Sequence, residues 1–401
     1  MLSEKQIETL IKPILDKQER ISIEVIRRFG EKINEVKEAD TTNSASLIKM
    51  RATKTEAQKL EYDIEEMLHE QLEEIFLLLV LVAENSYLDS KYLYEYTNTP
   101  FLAFNRNRPI QNAVSTITTQ VIDLFQKLFS IPGFIIRDLA NPQVLKPTTL
   151  SDTYQTVINE AVQNVQNNPL GFDVAMRNTE QQLINSGLNG MYVDPESGRI
   201  FAQRLDIAVR NNLLDGISMM QQAVQDAAGL QFGADGKELS AHIFSAPDHE
   251  PFQGHQFTNE NWERIQSSQD FEDVDGQYFT GVERIIGVWN CRHFSWSILV
   301  GYSKPRYSKR ELELMRQQNQ KGVKLKDGTH LTMYECTQRQ RRYENKIRQA
   351  REGLLFAQLV HNKPLEDSYR ALVAKRIDTY EAFSEFCGLP TQMNRTEIVT
   401  K

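Results

Sequence analysis

The chain has 401 residues, of which 40% are hydrophobic and 25% are charged. This balance excludes a chain too polar to build a core, and the length is sufficient for two or three domains. The net charge is −8, but residues 304–352 carry 14 Lys and Arg against 6 Asp and Glu, so this segment has a charge of +8 and the rest of the chain −16. One segment of an acidic chain is therefore suited to a polyanionic partner.

Cysteine use and the lengths of the apolar runs indicate the compartment. The cysteines at positions 291, 336 and 387 are too widely spaced for a disulfide framework and suit a reducing environment. The first residues lack the basic region and apolar run of a signal peptide. The most apolar run, Ile75–Ala83, has nine residues, whereas a membrane span needs about 20. These features predict a soluble cytoplasmic protein.

The first 88 residues predict two long helices. Apolar residues recur at helical spacing over residues 3–39, and we expect Pro13 and Gly30 to kink or split this helix. A second helix is expected from about residue 46 to residue 88. It ends in the run Ile75–Val82, which has no polar face and must therefore be buried. Burial in a helical bundle is favoured over a membrane-surface or inter-subunit contact.

Helices alternate with turns over residues 89–229. The predicted elements are a tyrosine-rich ordered connection over 89–109, a helix over Ile110–Phe129 stopped by Ile131-Pro-Gly133, a helix that begins at Thr148 or Ser151 and closes at Pro169-Leu-Gly171, a helix over Asp173–Asn185, a hairpin over Met191–Phe201, and a helix over Gln203–Ala228 with Gly229 as its C-cap.

The segment beyond residue 293 predicts a mixture of short elements and long helices. These are an apolar segment Phe294–Val300, a short helix over Lys309–Asn319, a hairpin over Val323–Thr332 with its turn at Asp327-Gly328, a long helix over about Tyr334–Val360, and a last helix over Leu365–Cys387 capped by Gly388.

Together these elements predict an α+β fold that is predominantly α-helical. A helical N-terminal region, residues 1–147, is expected to serve attachment. An α+β module with a small sheet and the His/Cys stretch is expected over residues 148–308, and residues 309–401 hold the hairpin and the basic C-terminal helices.

The stretch from residue 240 to residue 293 contains four of the seven histidines and Cys291. A strand would place Cys291 and His293 on the same face, since they are two residues apart. With His242 and His249 they would form a Cys/His₃ set suitable for zinc. The spacing matches no common ligand pattern, so the alternative is a hydrogen-bonded cluster that fixes the fold. A structural zinc ion is the only cofactor that the sequence suggests.

The same stretch also suggests hydrolysis as an alternative function. Asp248, His249 and Glu250, with His242, His255 and Glu283 nearby, could serve acid/base or metal-assisted cleavage. The sequence lacks a Gly-x-Ser-x-Gly elbow, a His-Glu-x-x-His helix and a phosphate-binding Gly-Lys-Ser/Thr loop. A protein without enzymatic activity is therefore the favoured interpretation.

A basic helix near the C-terminus suggests contact with nucleic acid. The residues in question are Arg339, Arg341, Arg342, Lys346, Arg348 and Arg351. Their side chains could neutralise phosphates without reading bases, which gives salt-dependent and sequence-independent affinity. The alternative is a solvated helix face with i,i+4 ion pairs, although few acidic partners are present.

Several motifs resemble those of the minor capsid protein 2 family of tailed phages, which is related to the Mu F-type head proteins. The matching segments are Leu239-Ser-Ala-His242, Ala246-Pro-Asp-His249 with Phe252-Gln-Gly254 and Phe257, Trp289-Asn-Cys-Arg-His293, Tyr334-Glu-Cys-Thr-Gln-Arg-Gln-Arg341 with Glu344 and Ile347-Arg348, Ser197-Gly-Arg199, Val209-Arg210, and Phe386-Cys-Gly-Leu389 with Arg395. They are collinear over about residues 148–398, whereas the N-terminal helices carry no matching motif. Ala246 stands where the family pattern has Arg, and Phe252 where it has Trp, and both departures argue against activity in that loop.

The resemblance implies a structural role in the phage head. Such a protein would be a minor component, present in several copies per virion, and located in the head interior or at the portal vertex after assembly in the host cytoplasm. It implies the portal protein, the major capsid protein and packaged double-stranded DNA as partners, with no membrane involved in assembly. The expected action is in head assembly, DNA packaging or ejection. A metal-dependent hydrolase or nuclease and a generic nucleic-acid-binding protein are the alternatives.

Overall fold

The computed structural model describes residues 2, 4–39, 44–137, 143–167, 177, 180, 183–193, 197–287 and 291–399. Most of these residues are helical, and the strands form small antiparallel sheets, which confirms the predicted fold class. In chain order the helices are α1 (Glu4–Glu38), α2 (Ser44–Lys49), α3 (Lys54–His69), α4 (Gln71–Asp89), α5 (Lys91–Tyr96), α6 (Arg108–Phe129), α7 (Leu150–Asn167), α8 (Leu205–Phe232), α9 (Asn259–Gln266), α10 (Lys309–Lys321), α11 (Met333–Leu359) and α12 (Lys363–Cys387).

The strands are short, and 3₁₀ turns lie at Phe104–Arg106 and Met393–Arg395. The strands are β1 (Pro132–Arg137), β2 (Leu145–Thr149), β3 (Asn189–Val193), β4 (Ile200–Arg204), β5 (Gly236–Leu239), β6 (Gln256–Thr258), β7 (Phe271–Glu272), β8 (Tyr278–Phe279), β9 (Ser295–Ile298), β10 (Val323–Lys324) and β11 (His330–Leu331). Within the described ranges, no helix combines the length and apolar character needed to cross a bilayer.

The chain forms two compact units, and each is assembled from three separate segments. Unit 1 comprises Met1–Lys12, Glu73–Leu124 and Arg210–Arg339, and unit 2 comprises Pro13–Leu72, Phe125–Val209 and Gln340–Lys401. The functional boundaries predicted after residues 147 and 308 stay predictions.

The first helix spans Glu4–Glu38, close to the predicted residues 3–39, and it is continuous through Pro13 and Gly30, so these residues do not split it. The kink expected at these positions stays a prediction. Ile21, Phe29 and Ile33 line its buried side in unit 2. Burial of an apolar stripe stabilises a helix more than one proline and one glycine destabilise it.

The predicted second helix is in fact three helices, α2, α3 and α4. The break before α3 has a local cause at Thr53, whose hydroxyl accepts a hydrogen bond from the Glu56 amide while the Glu56 carboxylate accepts one from the Thr53 amide. This capping box starts a new helix and ends the preceding one. The pattern Thr-x-x-Glu at residues 53–56 is the sequence signal of this helix start.

The apolar run Ile75–Val82 in α4 is buried on one side only. Ile75, Leu79 and Val82 are buried, whereas Phe76 and Leu77 are exposed. Leu81 and, six residues beyond the run, Leu88 are exposed as well. The expectation that the whole run must be buried in a bundle is therefore wrong for half of it, and an apolar stripe of unit 1 faces solvent.

The largest sheet belongs to unit 2 and has the strand order β2-β1-β3-β4. The hairpin predicted around residue 195 is confirmed by the antiparallel pairing of Met191 with Ala202, although its turn residues 194–196 lie outside the described residues. Strands β1 and β2 were not predicted. Gly133, expected only to stop a helix, lies in β1, where a Cβ atom would be 2.3 Å from the Thr148 carbonyl oxygen. The predicted helix end at 169–171 and most of the predicted helix at 173–185 also lie outside the described residues.

Helix α8 continues past Gly229 to Phe232, so the predicted C-cap at Gly229 is wrong. A Cβ atom at Gly229 would lie 2.6 Å from the hydroxyl oxygen of Ser297 in β9. The glycine is therefore explained by close contact between a helix and a strand of unit 1, not by the end of the helix. The predicted small sheet around the His/Cys stretch is present, with the order β6-β5-β9.

The C-terminal predictions agree with the structure. Strands β10 and β11 pair antiparallel, with Val323 opposite Leu331, as the Asp327-Gly328 turn predicted. Helices α10, α11 and α12 begin and end within two residues of their predicted positions. Gly388 caps α12 with a φ of 65°, a left-handed conformation that glycine adopts easily.

Candidate functional site

The His/Cys stretch surrounds the three-stranded sheet of unit 1. Strand β5 is central and pairs with both β6 and β9. At the end of β5, the Leu239 amide donates to the His255 carbonyl (3.0 Å) and the Ser240 amide donates to the Phe294 carbonyl (2.9 Å). The segments that follow Ser240 and precede Phe294 are therefore neighbours, and their histidines meet.

His249 lies in a series of turns between β5 and β6, and its side chain is buried. The Gln253 amide donates to the His249 carbonyl (3.1 Å), which fixes this backbone. The Nε2 atom of His249 lies 2.8 Å from the Arg284 carbonyl oxygen. Because a carbonyl oxygen can only accept, Nε2 carries the hydrogen, and Nδ1 of the neutral ring has a lone pair.

Three of the four predicted metal ligands, His249, Cys291 and His293, come together in buried positions. The Cys291 Sγ atom lies 3.4 Å from Nδ1 of His249 and 3.6 Å from Nδ1 of His293. One potential metal-ligand atom from each of the three residues lies within 4.8 Å of those of the other two. His242 is not a member of this group. Its ring lies beside that of His293 with centroids 4.5 Å apart, and its Nδ1 donates to the Ile243 carbonyl (3.1 Å).

Gln253 determines which nitrogen of His293 carries the hydrogen. Its Oε1 atom accepts a hydrogen bond from the His242 amide at 3.0 Å, which identifies that atom as the oxygen of the side-chain amide. The same Oε1 lies 3.3 Å from Nε2 of His293. Two acceptors would repel at this distance, so Nε2 is the donor. Nδ1 of His293, which faces Cys291, therefore has a lone pair.

Burial keeps these side chains uncharged. It lowers the pKa of His249, and it lowers the pKa of His293 well below the ordinary value, with nearby imidazoles and Arg284 acting in the same direction. Burial also raises the pKa of the Cys291 thiol, and nearby backbone groups oppose this rise. Neutral imidazoles can donate lone pairs to a cation, whereas imidazolium rings cannot.

Asp248 and His255, two of the residues considered for hydrolysis, have charged partners within the fold. Both carboxylate oxygens of Asp248 accept hydrogen bonds from the Arg284 guanidinium, at 2.7 and 2.8 Å. Nδ1 of His255 lies 2.6 Å from the Asp273 carboxylate. Glu283 is exposed. Asp248 and Asp273 thus hold loops of unit 1 in place through these contacts.

The two departures from the family pattern have different surroundings. Phe252 is buried in an aromatic cluster, where its ring centroid lies 5.1 Å from that of Phe271 and 6.0 Å from that of Phe279. Ala246 contributes its backbone, because its carbonyl accepts hydrogen bonds from the His249 and Glu250 amides. Phe252 therefore supports the loop from its core side.

A cavity of about 280 Å³ lies next to the cluster in unit 1. Cys291 and His242 form part of its wall. The remaining lining is largely apolar and includes Leu2, Ile7 and Leu214. The thiol of Cys291 is thus buried from bulk solvent but adjoins a space large enough for water molecules.

The six basic residues predicted to contact nucleic acid differ in their exposure along α11. Arg339, Arg342 and Lys346 are exposed, and Arg341 and Arg351 are partly exposed. Arg348 instead forms an ion pair with Asp206 (3.1 Å) and a hydrogen bond with Asn345 (2.7 Å) in unit 2. Its charge is therefore compensated within the fold.

Sequence reasoning missed the residues that orient the cluster. Gln253 occupies the Gln position of the Phe252-Gln-Gly254 motif, so the motif itself was a usable signal. Arg284 supplies a backbone carbonyl, and no side-chain pattern can reveal such a role.

Comparison with known proteins identifies the family. The profile of the family described as phage minor capsid protein 2 matches residues 2–383. No curated protein and no solved structure matches the chain. The match includes the N-terminal helices, which carry no recognisable motif, and it ends before the terminal element Phe386–Leu389. Because the match covers nearly the whole chain, the chain belongs to the phage minor capsid protein 2 family.

Proposed function

We propose that the protein is a low-copy structural component of the tailed-phage head, located in the head interior or at the portal vertex, and that it acts in head assembly and in DNA packaging or ejection. Family membership supports this proposal, since it makes the chain a minor component of the capsid with capsid proteins as partners. The structural role of the family also agrees with a protein that is not an enzyme. The association with DNA is supported by the basic surface of α11, which comprises Arg339, Arg341, Arg342, Lys346 and Arg351.

The part of α11 that belongs to unit 2, from Gln340 onward, is joined to α12 by buried polar contacts. The Tyr380 hydroxyl donates to the Glu344 carboxylate (3.1 Å), and the Gln340 side chain donates to the Ser384 hydroxyl (2.9 Å). These contacts anchor the side of α11 that faces α12. Arg342 and Lys346 are exposed on the same helix. We assign Arg339, Arg341, Arg342, Lys346 and Arg351 to contact with DNA phosphates.

Attachment to the portal or major capsid protein is assigned to α4. Leu77, Leu81 and Leu88 are exposed, with fractional exposures of 58%, 41% and 51%. Their spacing of four and seven residues places them on one face of the helix. An apolar stripe of this kind on a capsid component is suited to burial against another subunit.

Copy number in purified virions tests the placement in the head. Quantitative mass spectrometry should find one or a few copies of this protein per copy of the portal protein. The amount should be a small fraction of that of the major capsid protein. A copy number close to that of the major capsid protein would contradict a minor role. Absence from washed virions would contradict a structural role.

The salt dependence of DNA binding tests the basic surface. Each phosphate contact that is lost reduces the slope of log K against log[salt] by about 0.9, so Arg342→Glu combined with Lys346→Glu should reduce the slope by about 2 and weaken binding at low salt. The matched control is Lys49→Glu combined with Lys54→Glu, which changes the net charge equally at exposed lysines outside α11. Equal loss in both double variants would show that overall charge, not α11, determines binding.

A further inference from the structure

We propose that His249, Cys291 and His293 bind a zinc ion through Nδ1, Sγ and Nδ1, with water in the fourth coordination position. The three side chains come from two separate segments of unit 1, and all three are buried. The ion would join the turns that follow β5 to the segment that precedes β9. This site is independent of the DNA and docking surfaces proposed above.

The three side chains have too few hydrogens for the contacts that they make. The hydrogen of His249 is on Nε2, where it is donated to the Arg284 carbonyl, and that of His293 is on Nε2, where it faces Gln253. Both Nδ1 lone pairs therefore face the Sγ of Cys291. A thiol has one hydrogen and can satisfy only one of these two buried acceptors. A cation bound by the thiolate would satisfy both.

Hydrogen bonds from the other ring nitrogens orient both imidazoles toward the proposed ion. Histidine ligands of zinc in proteins donate their other ring N–H to a carbonyl or carboxylate oxygen, which fixes the tautomer. His249 donates in this way to the Arg284 backbone carbonyl, and His293 to the Gln253 side-chain carbonyl. Gln253 is itself held by the His242 amide. Both rings are thus oriented as ligands before any ion is bound.

The distances between sulfur and nitrogen fit tetrahedral zinc. Tetrahedral zinc with bonds of about 2.0 Å to nitrogen and about 2.3 Å to sulfur holds nitrogen and sulfur ligands about 3.5 Å apart. The two Sγ to Nδ1 distances of 3.4 and 3.6 Å agree with this value. An S–H···N hydrogen bond has a similar length, but it could explain only one of the two contacts. Chloride or another anion would be repelled by the two lone pairs.

The fourth position is assigned to water because of the adjoining cavity. Cys291 contributes to the wall of the cavity of about 280 Å³, so an ion on its sulfur is within reach of water. His242 lies on the same wall, and its nitrogen atoms are not part of the convergent group. Three protein ligands and one water form a common zinc coordination sphere.

Metal content and a cobalt spectrum test the site in the full-length protein. Protein purified without chelators should contain one zinc per chain, and exchange with Co²⁺ should give a thiolate-to-cobalt charge-transfer band. Cys291→Ser should lose this band and bind zinc on the order of 100-fold or more weaker, because removal of a ligand costs at least as much as removal of an outer-shell partner. Serine retains a hydroxyl donor for His249, so the metal-free fold should survive.

Two variants act as matched controls. Cys336→Ser changes another buried cysteine of unit 1 and should keep both the zinc and the cobalt band. His242→Ala should also keep one zinc per chain. Loss of zinc in His242→Ala as complete as in Cys291→Ser would overturn the assignment of water to the fourth position. Wild-type protein that contains no zinc and gives no charge-transfer band when titrated with Co²⁺ would overturn the site.

Discussion

Gly30 in α1 contacts Leu359 in α11 so closely that a Cβ atom at position 30 would lie 2.8 Å from the Leu359 Cβ and 3.3 Å from its Cδ1. Within unit 2, the two helices therefore approach each other at a glycine. Gly30→Ala should destabilise the protein by on the order of 1–3 kcal/mol, because the helices must move apart and the gain in helix propensity is smaller. Urea unfolding measures the change. Glu31→Ala, at an exposed position of the same helix, is the control and should be nearly neutral.

The contact between Gly30 and Leu359 shows why some features could be predicted and others could not. Helical periodicity depends on neighbours three and four residues away, so α6, α11 and α12 were located to within two residues of their ends. The roles of Gly30 and Gly229 depend on residues distant in sequence. A glycine that permits close contact and a glycine that ends a helix look alike in a sequence.

For the candidate site, the sequence predicted which residues come together but not the hydrogen bonds that orient them. The sequence predicted a group of His242, His249, Cys291 and His293, and the structure brings the last three together without His242. The tautomers depend on the Arg284 carbonyl and on Gln253, and the compensation of Arg348 depends on Asp206. Such partners are set by tertiary contacts, which no local pattern encodes.

Glu19 in α1 should make the stability of the protein depend on pH. Burial raises its pKa from 4.5 to about 7, Glu352, Asp16 and Asp206 add to the rise, and Arg348 opposes it. The folded protein then binds this proton more tightly than the unfolded chain does. Stability should fall as pH rises from about 4.5 to about 7, by on the order of 3 kcal/mol in total, and stay reduced above that range.

Glu19→Gln tests this dependence because glutamine does not titrate. The variant should be more stable than wild type at pH 8, by up to about 3 kcal/mol, and the difference should shrink toward pH 5. Urea unfolding at both pH values measures it. Glu31→Gln, an exposed glutamate of the same helix, controls for the loss of a surface charge. An equal effect of Glu19→Gln at pH 5 and pH 8 would contradict the raised pKa.

The exposed stripe of α4 should be required for incorporation into capsids. Leu77→Glu combined with Leu81→Glu places two charges in a surface that would otherwise become buried, so the variant should be lost from assembled heads. Its own stability should change by no more than about 0.5 kcal/mol per substitution, because both positions are exposed. Quantification in purified heads after complementation of a deletion phage measures the effect. Leu230→Glu, at a leucine that is 86% exposed in α8, is the control, and equal loss of this variant would contradict the role of α4.

The Tyr380 hydroxyl should be necessary for the stability of the C-terminal segment. It donates to the buried Glu344 carboxylate (3.1 Å) and accepts from the Gln392 amide (2.6 Å), so it links α12 to α11 and to the residues after Gly388. Tyr380→Phe removes both hydrogen bonds without changing the packing of the ring. It should therefore cost about 1–3 kcal/mol, and amide hydrogen exchange should increase around Gln392.

The control for this substitution is Tyr62→Phe, which removes the hydroxyl of a tyrosine that is 62% exposed in the same unit. It should change stability by less than about 0.5 kcal/mol. If Tyr380→Phe were equally neutral, the hydroxyl would not hold the segment in place. If Tyr380→Phe weakened DNA binding as well, the position of the basic surface of α11 would depend on the contacts of this hydroxyl. The expected result is lower stability with the salt slope of DNA binding unchanged, because the Gln340 to Ser384 hydrogen bond still joins the two helices.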